Sequence, residues 1–169
     1  MVKINPISNY AVSPDVLVLR NLLQRTLETT VAIFESYNVP LPLRQYWCLG
    51  QAAEDCAQVT VVYTGGYLGL PGGQQSEPQA CNGPKSATIL INITRDLPQG
   101  PNGNPATPTQ IQEASDWGAI DAWVLLSELR NYDLSSLGTP GAGVTATVTV
   151  APPSGFVQTT TLTLTQAVL

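Results

Sequence analysis

Few residues of this chain could do chemistry, and their spacing suits it poorly. The 169 residues include no histidine, which excludes imidazole acid–base catalysis, His-dependent triads and His-containing metal sites. Two carboxylate pairs, Glu54-Asp55 and Asp116 with Asp121, could act as acid and base. Carboxylates on loops and helices are usually solvated or cap a helix end, so we predict no catalytic residues and no enzyme activity.

Three cysteines are the remaining nucleophiles and metal ligands. Cys48, Cys56 and Cys81 make a poor zinc site, because a fourth good ligand is missing. Cys56 has no nearby run of positive charge in the sequence, so its thiolate should not be stabilised and we expect it to be inert. Buried free thiols are the ordinary state in a reducing cytoplasm. A Cys56–Cys81 disulfide that closes the intervening loop is the alternative in oxidising surroundings.

Glycine pairs and aromatic residues complete the candidates. Gly65-Gly66 and Gly72-Gly73 are not phosphate loops, because neither is followed by Lys-Ser/Thr at the start of a helix. Four aromatic residues could form a sugar-binding platform: Tyr46, Trp47, Tyr63 and Tyr67. Core and interface positions are the commoner use of such residues. We therefore predict no cofactor.

Composition favours a protein covered by neighbours. Apolar residues make up 43% of the chain and charged residues only 11%, about half the usual charged share of a globular protein. Obligate interfaces are depleted in charge, so we expect an oligomer. The net charge of −5 and seven scattered basic residues exclude a protein that grips nucleic acid through its phosphates. Neither a signal peptide nor a membrane span is apparent, which predicts synthesis in a cytoplasm without membrane attachment.

Helical periodicity marks two helices that must position these residues. Ser13-Pro14-Asp15 is a helix start, and apolar residues follow at helical spacing until Pro40 and Pro42. Thr107 can cap a second helix, with Pro108 at its first position and Gln110 able to complete a capping box. Within that helix we expect Trp123 to lie against the sheet edge and Asp121 to hold a polar partner.

Strand patterns account for most of the remaining chain. We predict strands at 43–49, 58–63 and 89–95, the last from the Ile89, Ile91 and Ile93 alternation with Thr88, Asn92 and Thr94 on the other face. Valine and threonine alternate from Val144 to Val150, and a turn at Pro152–Gly155 leads into a final strand.

The element order predicts one α+β domain over residues 1–169. Two helices pack on an antiparallel or mixed sheet of about five strands that ends in a C-terminal β-hairpin. Residues 1–12 form an extended N-terminal arm, and residues 65–84 form a long Gly/Pro-rich loop. A loop of that length in a compact domain is usually functional or disordered.

Several short motifs are similar to those of a known protein family. They begin with Asp55-Cys56-x-Gln58-x-Thr60-Val61 and Tyr67-x-Gly69-x-Pro71-Gly72, and continue with Cys81-x-x-Pro84-Lys85 and Arg95-x-x-Pro98. Asp121-Ala122-Trp123 and Pro152-x-Ser154-Gly155 extend the match over roughly residues 44–169. The pattern resembles the tail-terminator and neck proteins of siphophages infecting actinobacteria, and the element order is similar to that of the phage lambda tail terminator.

This resemblance implies a structural virion protein at the head–tail junction, assembled in the host cytoplasm. Such proteins form a homohexameric ring that caps the tail tube, ends its polymerisation and joins it to the head connector. The implied partners are the major tail tube protein and a head-completion or connector protein, and DNA passes through the lumen without specific binding. The acidic balance would lower friction with the DNA phosphates by like-charge repulsion. The family has no catalytic residues to carry over.

Apolar residues on the loop and the arm are the candidate contacts with another subunit or the tube, since they would be costly to leave in water. They are Tyr67, Leu68 and Leu70 on the loop and Ile4, Ile7 and Tyr10 on the arm. Two alternatives stay open. One is a head-completion or stopper protein of the neck, and the other is a small cytoplasmic ligand-binding module built on the Thr-rich hairpin and the Trp/Tyr cluster.

Overall fold

The computed structural model describes residues 14–53, 55–68, 85–99, 106–132, 144–152 and 156–168. Over these ranges the chain forms helix α1 (Pro14–Ser36), strands β1 (Gln45–Leu49), β2 (Gln58–Leu68) and β3 (Lys85–Asp96), helix α2 (Pro108–Ser127), and strands β4 (Val144–Val150) and β5 (Val157–Val168). The predicted order of elements and the α+β class are confirmed. A 3-10 turn at Leu129–Asn131 follows α2 and was not predicted.

All five strands belong to one mixed sheet, in the order β1-β2-β3-β5-β4. Strand β1 runs parallel to β2, whereas the other three neighbouring pairs are antiparallel. Helix α1 contacts β1 and β2, and helix α2 contacts β4 and β5. Both helices therefore cover the same face of the sheet, which is called the helix face below.

Helix α1 supplies part of the core through the predicted apolar stripe. Leu23, Leu27 and Phe34 are buried, and Leu19 packs at the edge of the cluster. The helix face of the sheet supplies a larger part, from Val59, Val61, Ile89, Ile91, Ile93, Leu162 and Leu164, and helix α2 adds Val124 and Leu125. Burying each of these side chains contributes about 1.5–3 kcal/mol. The stripe predicted from spacing alone is confirmed as core, and the predicted cap Ser13 lies outside the described residues.

Helix α2 begins as its sequence predicts. Thr107 accepts a hydrogen bond from the Gln110 backbone N–H at 3.3 Å, and the Gln110 side chain accepts from the Thr107 N–H at 2.9 Å. This reciprocal pair is a complete capping box, with Pro108 at the first helical position. Gly118 lets the helix approach the sheet closely, because a Cβ there would lie 3.2 Å from Val150.

Three strand boundaries differ from the prediction, and one of them is the start of strand β3 at Lys85 rather than Ile89. Strand β1 begins at Gln45 rather than Leu43, and Leu43 is fully exposed. Strand β2 continues past Tyr63 to Leu68, because a register shift between Tyr63 and Gly65 lets it keep pairing with β3. The first four residues of the predicted 65–84 loop are therefore strand, and residues 69–84 lie outside the described residues.

The second face of the sheet is lined by threonine and other polar side chains. Thr161 donates to Asn92 Oδ1 at 2.9 Å, and Asn92 Nδ2 donates to Thr60 at 3.2 Å, so one polar ladder crosses three strands. Thr94 and Thr159 form a second cross-strand pair at 3.1 Å. These hydrogen bonds satisfy the side chains, and Thr60 and Thr94 are fully buried.

The β1–β2 connection covers part of this threonine face. Parallel strands require a crossover, and residues 50–57 make it without a helix. Gly50 turns the chain with φ +88° and donates its N–H to Tyr63 O at 2.9 Å. Further along the connection, Gln58 Nε2 donates a hydrogen bond to Ala53 O. This crossover explains how polar residues of β2 and β3 become buried although both helices lie on the opposite face.

Strands β4 and β5 pair in register from Val144↔Gln166 to Val150↔Thr160. Leu162 and Leu164 point into the core, as the alternation predicts. Residues 153–155 of the predicted turn lie outside the described residues, so the turn itself stays a prediction. The predicted N-terminal arm, residues 1–12, lies outside them as well.

Candidate functional site

An arginine, an aspartate and a tryptophan form the most buried polar cluster that α2 makes with the sheet. Asp121 and Trp117 lie one helical turn apart on α2, and Arg95 comes from β3. Arg95 Nε and Nη2 donate to Asp121 Oδ2 and Oδ1 at 2.7 and 2.6 Å. Its guanidinium carbon lies 4.8 Å from the centroid of the Trp117 ring. The prediction that Asp121 holds a polar partner is confirmed.

The cluster ties three parts of the fold together. Arg95 Nη1 also donates to Pro40 O at 3.0 Å, in the segment between α1 and β1. Burial raises the pKa of Asp121, and the hydrogen bonds from Arg95 oppose that rise. Both oxygens of this carboxylate are engaged by a bidentate partner, which leaves it poorly placed to act as a base.

A cavity of about 310 Å³ opens beside this cluster. Its wall is formed by Pro40, Pro42, Trp117, Gln158 and Asp96, together with Arg95 and Asp121. The Asp96 carboxylate is already engaged, because its Oδ1 accepts the Ala57 N–H at 2.9 Å. Both carboxylates on the wall of the cavity therefore already accept hydrogen bonds, Asp96 at one oxygen and Asp121 at two.

The carboxylate pairs considered from the sequence are not assembled. Asp116 lies five residues before Asp121, which places it about 140° away around the helix. It is exposed and accepts from Gln112 at 3.4 Å. Glu54, the partner proposed for Asp55, lies outside the described residues.

A second arginine cluster surrounds Cys56 at the surface. Arg44 Nη1 donates to Asp55 Oδ1 at 3.0 Å and to Cys56 Sγ at 2.8 Å. The pKa of Arg44 is raised, chiefly by its hydrogen bond to Cys56, and the pKa of Asp55 is lowered, chiefly by its own backbone N–H. The fold therefore brings a single arginine to Cys56 from a position twelve residues earlier in the chain.

The two cysteines among the described residues are only half-buried, which corrects the expectation of buried thiols for this pair. Cys48 and Cys56 both have intermediate exposure. Partial burial raises the pKa of Cys48. Cys81 lies outside the described residues, so the Cys56–Cys81 disulfide stays a prediction.

The aromatic residues do not share one platform. Trp47 lies on the helix face of β1, donates its indole N–H to Gln24 at 3.0 Å and packs against the core. Tyr46 points to the opposite face and bonds the Gln58 side chain at 3.2 Å. Neighbouring residues of a strand point to opposite faces, so these two rings are separated by the sheet. Tyr46 and Trp47 therefore cannot belong to the same sugar-binding platform.

Helix α2 exposes apolar side chains on the side turned away from the sheet. Ile120, Trp123 and Leu126 are called the α2 outer patch, and Trp123 is 57% exposed. The Trp123 ring meets the Tyr37 ring edge-on at 5.3 Å, at the end of α1. The prediction that Trp123 lies against the sheet edge is wrong, because its position on the helix points it outward. The run of apolar residues at helical spacing gave no signal for which side would be covered.

Within the described residues, strand β4 is an edge of the sheet without the usual protection. Its seven residues, VTATVTV, include no charge and no proline, and the pairing with β5 has no register shift. Natural edge strands are usually blunted by lysine, proline, bulges or a covering element. Among the described residues, only β5 pairs with β4. The outer edge of β4 therefore presents backbone N–H and C=O groups that can pair with another chain.

The residues predicted to contact other subunits are only partly placed. The backbones of Tyr67 and Leu68 lie in β2 opposite Ser86 and Lys85, at the end of the strand rather than on a loop. Their side chains, and the residues Leu70, Ile4, Ile7 and Tyr10, lie outside the described part of the chain.

No group of three or more potential metal ligands occurs within the described ranges. No helix in the described part of the chain has the length and apolarity needed to cross a membrane. No protein-family model matches the chain, and no curated protein is significantly similar to it.

Proposed function

We propose that this chain is a structural virion protein that forms a ring at the head–tail junction of a siphophage. In this proposal it caps the tail tube, ends its polymerisation and joins it to the head connector. The proposal rests on the resemblance of the motifs between Asp55 and Gly155 to tail-terminator and neck proteins.

The single observation that favours assembly over catalysis is the unprotected edge of β4. A seven-residue uncharged edge is a hazard in an isolated protein and an advantage in one whose copies associate. The α2 outer patch supports the same conclusion, because an exposed tryptophan beside Ile120 and Leu126 is typical of an interface. The low charged content of 11% agrees with both.

The threonine face supports passage of DNA through such a ring. Thr145, Thr147 and Thr149 are exposed on β4, and the described residues of β4 and β5 include no charge. A hydroxyl surface without Lys or Arg offers no strong phosphate contact. If this face lines the lumen, the chain's net charge of −5 adds weak repulsion of the phosphates.

The proposal is tested by determining which assembly the purified protein forms, alone and in the presence of tail tubes. We expect rings in electron micrographs and a mass several times 17.9 kDa by light scattering. We also expect the rings to bind the end of tubes assembled from the major tail protein. A protein that stays monomeric in the presence of tubes and binds neither their ends nor the connector would overturn the proposal. Binding to the connector alone would identify a stopper protein.

A ligand-binding module is the second candidate, and the cavity beside Trp117 is the observation that favours it. A volume of about 310 Å³ lies at the small end of the range for ligand sites. Calorimetric titration with small amides, sugars and nucleotides tests it, with Trp117→Ala as the control. Monomeric protein that binds such a ligand through Trp117 would favour the module over the ring.

A further inference from the structure

The direction of each backbone N–H along β4 follows from the hydrogen bond that the residue just after the strand makes to β5. Ala151 N–H donates to Thr159 O at 2.8 Å, which directs it toward β5. N–H groups alternate in direction along a strand, and β4 has no bulge. The N–H groups of Ala146 and Val148 therefore point to the open side of the sheet. An added strand would use these groups.

The N-terminal segment has the length to reach that edge from elsewhere in an assembly. Residues 1–13 precede α1, and an extended chain of that length spans up to about 45 Å. The β4 edge is about 24 Å long. Helix α1 lies over β1 and β2 at the far side of the sheet, whereas β4 lies beyond α2. The helix that follows the segment thus lies over the strands at the opposite edge of the sheet from β4.

The segment's sequence suits a seven-residue uncharged edge. Residues 7–12, Ile-Ser-Asn-Tyr-Ala-Val, include no charge and no proline, and Pro6 limits the strand at its start. Ile7 and Tyr10 have high strand propensity. Added strands gain affinity from main-chain hydrogen bonds, which need no particular side chains on the edge.

We propose that residues 7–12 of one copy pair as an extra strand with the open edge of β4 in a neighbouring copy. This inference rests on the proposed assembly of copies and specifies how neighbours are joined. Exchange of an arm between identical subunits also covers the one long edge that the described sheet leaves unprotected.

Two variants test it, each with a matched control. Ala146→Pro removes an outward N–H without touching a β4–β5 hydrogen bond, whereas Ala146→Val keeps the N–H and the strand propensity. Deletion of residues 1–12 removes the arm, and replacement of the same residues by a Gly/Ser sequence of equal length is its control for chain length. Light scattering measures the mass, and circular dichroism confirms folding. We expect Ala146→Pro, the deletion and the Gly/Ser chain each to fall to the mass of a single subunit, which is 17.9 kDa for the full-length chain, while Ala146→Val stays assembled.

A synthetic peptide of residues 1–13 gives a second readout that does not depend on assembly. It should bind the arm-deleted chain, and binding should fall at least tenfold when Ala146→Pro is added. A scrambled peptide should not bind.

The outcomes separate this inference from the proposed function. Rings that persist after deletion of the arm would overturn the inference and leave the ring protein intact. Rings could instead be lost with Ala146→Pro and kept with the deletion. That result would show that β4 pairs with a different strand of a second copy, and it would overturn the proposal that the N-terminal arm is the added strand. A full-length monomer that binds neither tail tube nor connector would instead refute the function.

Discussion

Two arginine clusters of the same composition behave differently because the fold buries one of them. Each consists of an arginine, an aspartate and an aromatic ring: Arg95, Asp121 and Trp117 at α2, and Arg44, Asp55 and Tyr46 beside β1. The side chains of the first ion pair are 18% and 1% exposed, and those of the second are 46% and 66% exposed. The comparison shows that residue types set which contacts can form, whereas burial sets what the contacts are worth.

The largest difference is expected when the aspartate is removed. Asp121→Ala leaves Arg95 without a partner in a mostly buried site, which should lower the free energy of unfolding by about 3 kcal/mol. Asp55→Ala should leave the denaturation midpoint unchanged within error, since exposed pairs contribute little. Urea denaturation of both variants measures this. Equal effects would show that the two pairs are equivalent.

Replacement of each arginine by lysine should separate the clusters by geometry. Arg95 makes three hydrogen bonds, to both oxygens of Asp121 and to Pro40 O, and a lysine cannot reproduce that fork. We expect Arg95→Lys to cost about 2 kcal/mol, because a charged hydrogen bond contributes about 1.5–3 kcal/mol and a lysine ammonium can keep two of the three. Arg44→Lys is the matched control, and its stability should equal that of the original chain. Thermal unfolding of both variants measures the difference.

Loss of the aromatic ring should give a smaller contrast. Trp117→Leu removes the ring under the Arg95 guanidinium and should cost about 1 kcal/mol, from the cation–π contact and part of its packing. Tyr46→Leu removes the ring 5.4 Å from Arg44 and also a hydrogen bond to Gln58. Trp117→Phe, which keeps a smaller ring, should recover part of the loss at Trp117. Chemical denaturation, fitted with one shared dependence of the unfolding free energy on denaturant concentration, compares the three variants. If Trp117→Phe is no more stable than Trp117→Leu, packing alone accounts for the loss.

The smallest but most diagnostic effect is the opposite pH dependence of the two aspartates. Burial raises the pKa of Asp121, so the folded state holds its proton more tightly and this contribution to stability is lost as pH rises above about 3.9. The pKa of Asp55 is lowered, so its contribution is present above about pH 3.9 and is lost as pH falls below that value.

Asparagine variants report these contributions one at a time. The stability difference between the original chain and Asp121→Asn should be more favourable to the original chain at pH 3 than at pH 7. The corresponding difference for Asp55→Asn should change in the opposite direction and be smaller. Unfolding measured from pH 2.5 to 7 checks both, and slopes of the same sign would contradict the assignment.

Much of the fold could be predicted from local pattern. The start of α2 needed only Thr107, Pro108 and Gln110, because a capping box is closed by residues three apart. The core face of β3 needed only the isoleucine alternation. The boundaries failed where a tertiary contact extended a strand, as at Gly65–Leu68, whose pairing with β3 continues beyond an irregularity.

The candidate surfaces were predicted less well, because they depend on what packs against each element. The apolar residues of α2 gave no sign that Trp123 would be exposed beside Tyr37 while Val124 and Leu125 were buried. The threonines of β4 were recognised as strand residues, but only the strand order makes β4 an edge. Interface residues on the arm and the loop remain predictions.

The sequence by itself determined that the chain lacks histidine chemistry, has few charges and forms two helices and five strands. Each of these properties is compositional or arises from residues within a few positions of one another. The tertiary structure alone decided that Asp121 meets Arg95, that Arg44 meets Cys56 and that β1 runs parallel to β2. Those contacts join residues distant in sequence, and no periodicity encodes them, because a pattern states which residues share a face and not what will cover it.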